Sequence, residues 1–286
     1  MRTYDHRTFT AARVATTRER SISVCLPARD EAQTIGPILE RLLPLRERGV
    51  IDQVVVADDS TDGTAEIARR LGAEVHAQSA LMPEFGPVRG KGDAMWRALS
   101  VLTGDVVCFL DADSEELGEH FALDLVGPLA CGDGVAFAKA FYRRPWREGR
   151  IVQPQGGGRV TELLARPMLN RFFPELAGFH QPLAGEIAAR RDLLMALPFA
   201  TGYAVDVALL IDAWRAVGID ALAQVDLRVR QNRHKPLASL GPMAAEVLAG
   251  IASRMERDGR LTAAGEGEPL VERPPMASCV TLVTGS

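Results

Sequence analysis

Val106-Val107-Cys108-Phe109-Leu110-Asp111-Ala112-Asp113 is an apolar run that ends in two carboxylates around a single residue. Consecutive apolar side chains of this kind suit a strand covered on both faces, as in a parallel sheet. Toward the N-terminus the pattern recurs. Residues 22–26 form an apolar run closed by Pro27 and followed by Ala28-Arg29-Asp30-Glu31, and residues 53–57 run into Asp58-Asp59-Ser60-Thr61-Asp62-Gly63. Residues 74–77 fit a short third strand. Helical periodicity fills the gaps. Ile35, Ile38, Leu39 and Leu42 share one face of a helix expected over 32–43, with Pro44 as its stop. A second helix is expected over 64–71 with Gly72 as its C-cap, and a third over 93–102, opened by Gly90-Lys91-Gly92. Strand and helix alternating at this spacing predict a doubly wound α/β sheet whose strand C-termini share one edge. Ligands bind at that edge. The polar clusters 29–31, 58–62 and 111–113 all fall there.

The strand ends carry acids rather than phosphate-cradling glycines. No G-x-x-x-x-G-K-[ST] is present, and P-A-R-D-E stands where a dinucleotide site would have G-x-G-x-x-G. Asp111 and Asp113 therefore suggest a divalent metal that would in turn hold a diphosphate, with a solvated acidic turn as the plainer alternative. Lys91, between two glycines at a helix start, is a candidate diphosphate contact. Gly156-Gly157-Gly158-Arg159-Val160-Thr161 combines accessible backbone N–H groups, a guanidinium fork and a hydroxyl, and it runs into a helix expected over 162–170. Each of these favours an anion. His76 and His180 read as structural. Arg143, Arg144 and Arg147 read as a solvated basic face.

The chain has 286 residues, 47% hydrophobic and 24% charged, with a net charge of −4, which fits a soluble globular protein and gives little drive for nucleic-acid binding. Cys25, Cys108, Cys131 and Cys279 form no C-x-x-C pair, which argues for a reducing cytoplasm. No apolar stretch approaches the roughly 20 residues of a membrane span. Residues 1–20 read as a flexible N-terminal arm, 21–130 and 131–256 as two halves on the same core, and 257–286 as a loosely ordered tail.

Taken together, P-A-R-D-E, D-D-S-T-D-G-T, G-K-G and D-A-D resemble the GT-A glycosyltransferases. Gly156 to Leu163, Gln181-Pro182-Leu183-Ala184-Gly185-Glu186, Leu197-Pro198-Phe199 through Gly202-Tyr203, Ala223-Gln224-Val225 and Arg273-Pro274-Pro275-Met276 narrow the resemblance to glucosyl-3-phosphoglycerate synthases. That resemblance implies a GT-A α/β fold and a homodimer. It also implies transfer of glucose, with retention, from UDP-glucose or GDP-glucose to 3-phosphoglycerate, with Mg2+ or alternatively Mn2+. By the resemblance, Pro27, Ala28, Glu31, Asp58, Asp59, Ser60, Lys91, Asp111 and Ala112 would bind the nucleotide sugar. Asp113, Asp206 and Glu186 would serve catalysis. Gly158, Arg159, Thr161 and Asn232 would hold the acceptor, and Asp113 with His234 the metal. The family usually reads P-A-x-N-E where this chain has Asp30, and R-x-H-R-N-x-P where it has Arg230-Gln231-Asn232-Arg233-His234-Lys235-Pro236. Asn232 or His234 could thus serve the metal. The alternatives are GDP-mannose as donor, as in the mannosyl branch, or a sugar-nucleotide-binding protein with weak catalysis.

Overall fold

The computed structural model describes residues 1–144, 146–148, 151–153, 158–230, 237–259 and 271–283. In chain order the strands are β1 (Arg2–Asp5), β2 (Ile22–Ala28), β3 (Gln53–Asp58), β4 (Glu74–Ala77), β5 (Val106–Phe109), β6 (Phe137–Arg143), β7 (Trp146–Glu148), β8 (Ile151–Gln153), β9 (Ile187–Arg190), β10 (Phe199–Ala200), β11 (Leu222–Val229) and β12 (Glu272–Arg273). The helices are α1 (Ala11–Thr17), α2 (Ile35–Glu47), α3 (Thr64–Leu71), α4 (Gly90–Ala98), α5 (His120–Ala130), α6 (Arg166–Phe172), α7 (Arg191–Ala196), α8 (Val205–Val217), α9 (Leu240–Arg257) and α10 (Met276–Val283). Eight strands form one sheet in the order β1-β11-β6-β9-β5-β2-β3-β4, all parallel except β9, which runs antiparallel to both neighbours.

The apolar runs are divided between the two faces of the sheet. Val24, Leu26, Val54, Val56, Val106 and Cys108 pack into the core under α2 and α5, while Cys25, Val55, Ala57, Val107 and Phe109 pack under α4 and α8. This is the alternation a strand buried on both faces requires. Several expected helix boundaries shift, and the helix expected over 93–102 is α4, which starts at Gly90 and ends at Ala98. Helix α2 starts at Ile35 and continues through Pro44 to Glu47. Pro44 forgoes its own backbone bond and crowds the preceding turn, but buried Leu42, Leu43 and Leu45 hold the helix on the core. Beyond Arg159 the chain forms a π-helical turn, Thr161–Ala165, before α6, so the helix expected over 162–170 is two segments.

Residues 1–20 are not a loose arm. Strand β1 extends the sheet beside β11 in parallel register, Phe9 and Val14 are buried, and the Phe9 N–H donates to Asp124 Oδ1 at 2.9 Å. The arm docks because it covers an otherwise open sheet edge and fills the space over Gly127, where a Cβ would lie 2.1 Å from the Phe9 ring. Asp124 Oδ2 is buried without a hydrogen-bond partner among the described residues, and burial pushes this carboxyl up to about 7. Its folded value lies above its unfolded one, so the folded state holds a proton that the unfolded state releases. That stability is present at low pH and is lost as pH rises through about 7. Thermal melts should therefore show the wild type falling further behind Asp124→Asn at pH 8 than at pH 5. A constant gap would show that Asp124 does not titrate in this range.

The C-terminal segment 271–283 is likewise anchored rather than loose. Strand β12 pairs with β10, Trp96 Nε1 donates to the Pro274 carbonyl at 2.8 Å, and Met276 and Cys279 are buried.

Candidate active site

Because β2, β3, β5, β6 and β11 are mutually parallel, their C-terminal ends meet at one edge of the sheet. Strand β9 runs the other way, so the residues just before it, Gly185 and Glu186, reach the same edge. Lys91 Nζ lies 2.7 Å from Asp111 Oδ1 and 3.3 Å from Asp206 Oδ1. Arg230, just past β11, spans Asp111 at 3.0 Å, Asp113 at 2.5 Å and Glu186 at 2.7 Å, and donates to Tyr142 Oη at 2.9 Å and Ser114 Oγ at 3.1 Å. Tyr142 donates to Glu186 Oε2 at 2.8 Å and accepts from Arg144 at 2.6 Å. Lys139, fully buried on β6, donates to the Asp206 carbonyl at 2.9 Å.

The charges set one another. Burial would neutralise Lys91, but Asp111 and Asp206 outweigh it and hold the ammonium well above its usual range. Burial also pushes Asp111 up, yet Lys91 and Arg230 outweigh it and keep this carboxyl well below the usual carboxylate range. For Glu186 and Asp206 burial wins and both are raised. Burial pulls Lys139 down to about 8 and pushes Tyr142 up to about 12. Gly185 is required by close approach, since a Cβ there would sit 2.1 Å from Lys91 Nζ and 2.5 Å from both Asp111 oxygens.

Two clefts meet at Lys91, Asp111, Asp113 and Tyr203. The first is walled by Pro27, Ala28, Arg29, Asp30, Glu31, Gln78, Val88, Ala112 and Glu246. The second is walled by Arg144, Gly158, Arg159, Thr161, Gly185, Asp206 and Arg230, with Leu240, Met243 and Val247 opposite. Of the expected nucleotide residues, Asp58, Asp59 and Ser60 do not line the first cleft. They brace it: Ser60 Oγ donates to Asp58 and accepts from the Asp30 N–H, Thr64 Oγ1 accepts from the Glu31 N–H, and Asp62 Oδ2 accepts from the Ala32 N–H. Asp30 has a φ of 59°, in the left-handed region that Asn and Asp tolerate best, so either residue suits this turn. Thr34 Oγ1 ties Ala112 to Glu31, accepting no backbone N–H but donating to the Ala112 carbonyl at 2.6 Å.

Glu186 is buried behind Arg230 and reaches the clefts only through it. Asp113 is the half-exposed carboxylate of the pair, at 49%, whereas Asp111 is engaged by Lys91 and Arg230. Asn232 and His234 lie outside the described residues, among which no group of three His, Cys, Asp or Glu could hold a metal. Sequence reasoning missed Tyr142, Arg144 and Lys139. Arg144 belongs to the second cleft and not to a solvated face, because its guanidinium is drawn in by Tyr142. A lone lysine inside the apolar run 137–140 was the available signal for Lys139.

Residues 23–183 match the family described as Glycosyl transferase family 2. The glucosyl-3-phosphoglycerate synthase of Mycolicibacterium paratuberculosis is 48% identical over 240 residues, covering 82% of this chain and 72% of that protein. The chain belongs to glycosyl transferase family 2, in its glucosyl-3-phosphoglycerate synthase branch. The crystal structure of glucosyl-3-phosphoglycerate synthase from Mycobacterium tuberculosis with Mn2+, UDP-glucose and phosphoglyceric acid superimposes with a TM-score of 0.86 at 40% identity, covering 98% of this chain and 99% of that one. Mannosyl-3-phosphoglycerate synthase from Rubrobacter xylanophilus matches with a TM-score of 0.88 at 43% identity, covering 97% and 96%. The synthase branch thus accounts for two clefts that share one charged junction.

Proposed function

We propose that this glycosyltransferase moves glucose from a nucleotide-glucose donor to 3-phosphoglycerate. The observation that carries the reading is the junction of the two clefts, one bounded by P-A-R-D-E and the other by Arg144, Arg159 and Arg230. Guanidinium forks match the phosphate and carboxylate of the acceptor, and the Gly158-Arg159-Thr161 turn offers backbone and hydroxyl donors beside them. Pro27, Ala28 and Glu31 bound the nucleotide, Lys91 meets its diphosphate, and Asp206 meets hexose hydroxyls.

Asp113 offers a hard, half-exposed carboxylate at the junction, which fits Mg2+ or Mn2+. Asp113 would hold the ion together with the donor diphosphate and with His234 or Asn232, which lie outside the described residues. When bound, the ion supplies charge stabilisation for the departing diphosphate. The pairing of Asp206 with Lys91 and the cover of Arg230 over Glu186 support departure of the diphosphate on the face of attack rather than a carboxylate nucleophile. Lys91 then neutralises the leaving group.

The 43%-identical mannosyl-3-phosphoglycerate synthase supports a second reading with GDP-mannose as donor. Incubating the protein with 3-phosphoglycerate, Mg2+ or Mn2+ and each of UDP-glucose, GDP-glucose and GDP-mannose, followed by product mass and anomeric NMR, decides between them. No hexosyl product from any donor would sink both. A cytoplasmic homodimer completes the proposal, with light scattering as the check on the dimer. Arg159→Ala should raise the KM for 3-phosphoglycerate roughly tenfold to a hundredfold, since losing a charged contact costs about 1.5–3 kcal/mol. A fall in donor affinity alone would move the acceptor loop elsewhere.

A further inference from the structure

We infer that Arg273 is a positioning residue for the nucleotide side of the site, acting from the C-terminal strap through buried Asp93. Arg273 grips Asp93 with two bonds, Nε to Oδ1 at 2.7 Å and Nη2 to Oδ2 at 2.8 Å, across a sequence gap of 180 residues. Asp93 is fully buried in the first turn of α4, the turn that carries Lys91, and its Oδ2 also accepts the Arg89 N–H at 2.8 Å. Arg97 shares Asp93 and donates to the carbonyls of Leu81, Met82 and Gly86, so the same carboxylate organises the segment leading to Val88 on the nucleotide cleft wall.

The strap also reaches the Thr201-Gly202 turn on the wall of the same cleft. Thr201 N–H donates to the Val271 carbonyl at 3.0 Å, and the Gly202 N–H donates to the Arg89 carbonyl at 3.0 Å. A Cβ on Gly92 would lie 1.9 Å from the Ala200 carbonyl oxygen, so α4 and β10 are pressed together with no slack. Strand β12 is therefore pinned on two sides, by Glu272 on Arg254 and Arg257 of α9 and by Arg273 on Asp93 of α4. Only the second pin leads to Lys91. A fork that fixes both carboxylate oxygens sets the rotation of Asp93, and with it the height of the first turn of α4 against Asp111. A lysine at 273 keeps the charge but satisfies one oxygen at a time.

The inference rests on Lys91 as a diphosphate contact. The test compares Arg273→Lys and Arg273→Gln with Glu272→Gln, which loosens the other pin without touching Asp93. Affinity for uridine diphosphate and guanosine diphosphate is titrated at fixed Mn2+, KM for 3-phosphoglycerate is measured at saturating donor, and thermal melts are recorded for each. Arg273→Lys should weaken binding of the preferred nucleoside diphosphate and lower kcat about tenfold to a hundredfold, the scale of a small misplacement remote from the chemistry. Its KM for 3-phosphoglycerate should stay at the wild-type value, and Glu272→Gln should lower Tm alone. If Arg273→Lys lowers Tm but keeps wild-type nucleotide affinity and kcat, the strap is an anchor and the inference falls. Arg273→Gln is the harsher arm; should it not fold, Arg273→Lys decides. A wrong functional reading would show separately, as no transfer by the wild type, while the nucleotide titration still decides the role of Arg273.

Discussion

Asp113→Ala should abolish metal-dependent transfer while the protein stays folded. Its side chain is 49% exposed and its described contact is a single bond from Arg230, so the fold loses little with it. Its carboxylate is nevertheless the hard oxygen at the junction of the two clefts. Removing one preorganised group that stabilises charge in a transition state commonly costs about 10²–10³ in kcat; if Asp113 holds the ion as proposed, its loss should cost at least that. Circular dichroism and melts establish that the variant is folded. Titration with Mn2+ in the presence of nucleoside diphosphate should show weakened metal binding. Full activity in a folded Asp113→Ala protein would remove Asp113 from the metal site.

Arg230→Met should be the most damaging change to both stability and activity. Its guanidinium is 2% exposed and is shared by Asp111, Asp113 and Glu186. Without it Glu186 remains fully buried with Tyr142 as its described donor, and breaking a buried pair from one side costs about 3–5 kcal/mol. A lowered Tm is therefore expected, with transfer lost because Asp111 and Asp113 lose the guanidinium that bridges them. The double variant Arg230→Met/Glu186→Gln separates the two effects. It should recover much of the Tm, since no buried charge is stranded, and none of the transfer. Recovery of transfer would show that Arg230 serves only as a counter-ion to Glu186.

The strand runs at 22–26, 53–57 and 106–110, and the polar ends that follow them, were legible because a strand covered on both faces must be apolar at every position. The acidic D-A-D and the Gly-Lys-Gly helix start could be read for the same local reason, as each needs only its immediate neighbours. The helix boundary at Pro44 was not legible, because burial of Leu42, Leu43 and Leu45 overrides the local signal. The docking of residues 2–17 was hidden too, since it depends on an open sheet edge and on the space over Gly127, and neither leaves a mark in residues 1–20 themselves.

Within the site, the sequence by itself determined the chemical types: two carboxylates after an apolar strand, a lysine at a helix start and a glycine-arginine anion loop. Only the tertiary structure decided which of them act together. Asp58 and Ser60 look like ligand contacts in the sequence but fold back to brace Asp30, because their hydrogen-bond partners lie in the neighbouring loop. The antiparallel course of β9 brings Gly185 and Glu186 to an edge that parallel strands would otherwise monopolise. Parallel β11 ends at that edge as well, and so places Arg230 on Asp111 across 119 residues. Strand direction and sheet order are properties of the whole chain, because each strand takes its partner by hydrogen bonds across the sheet and not from its own residues.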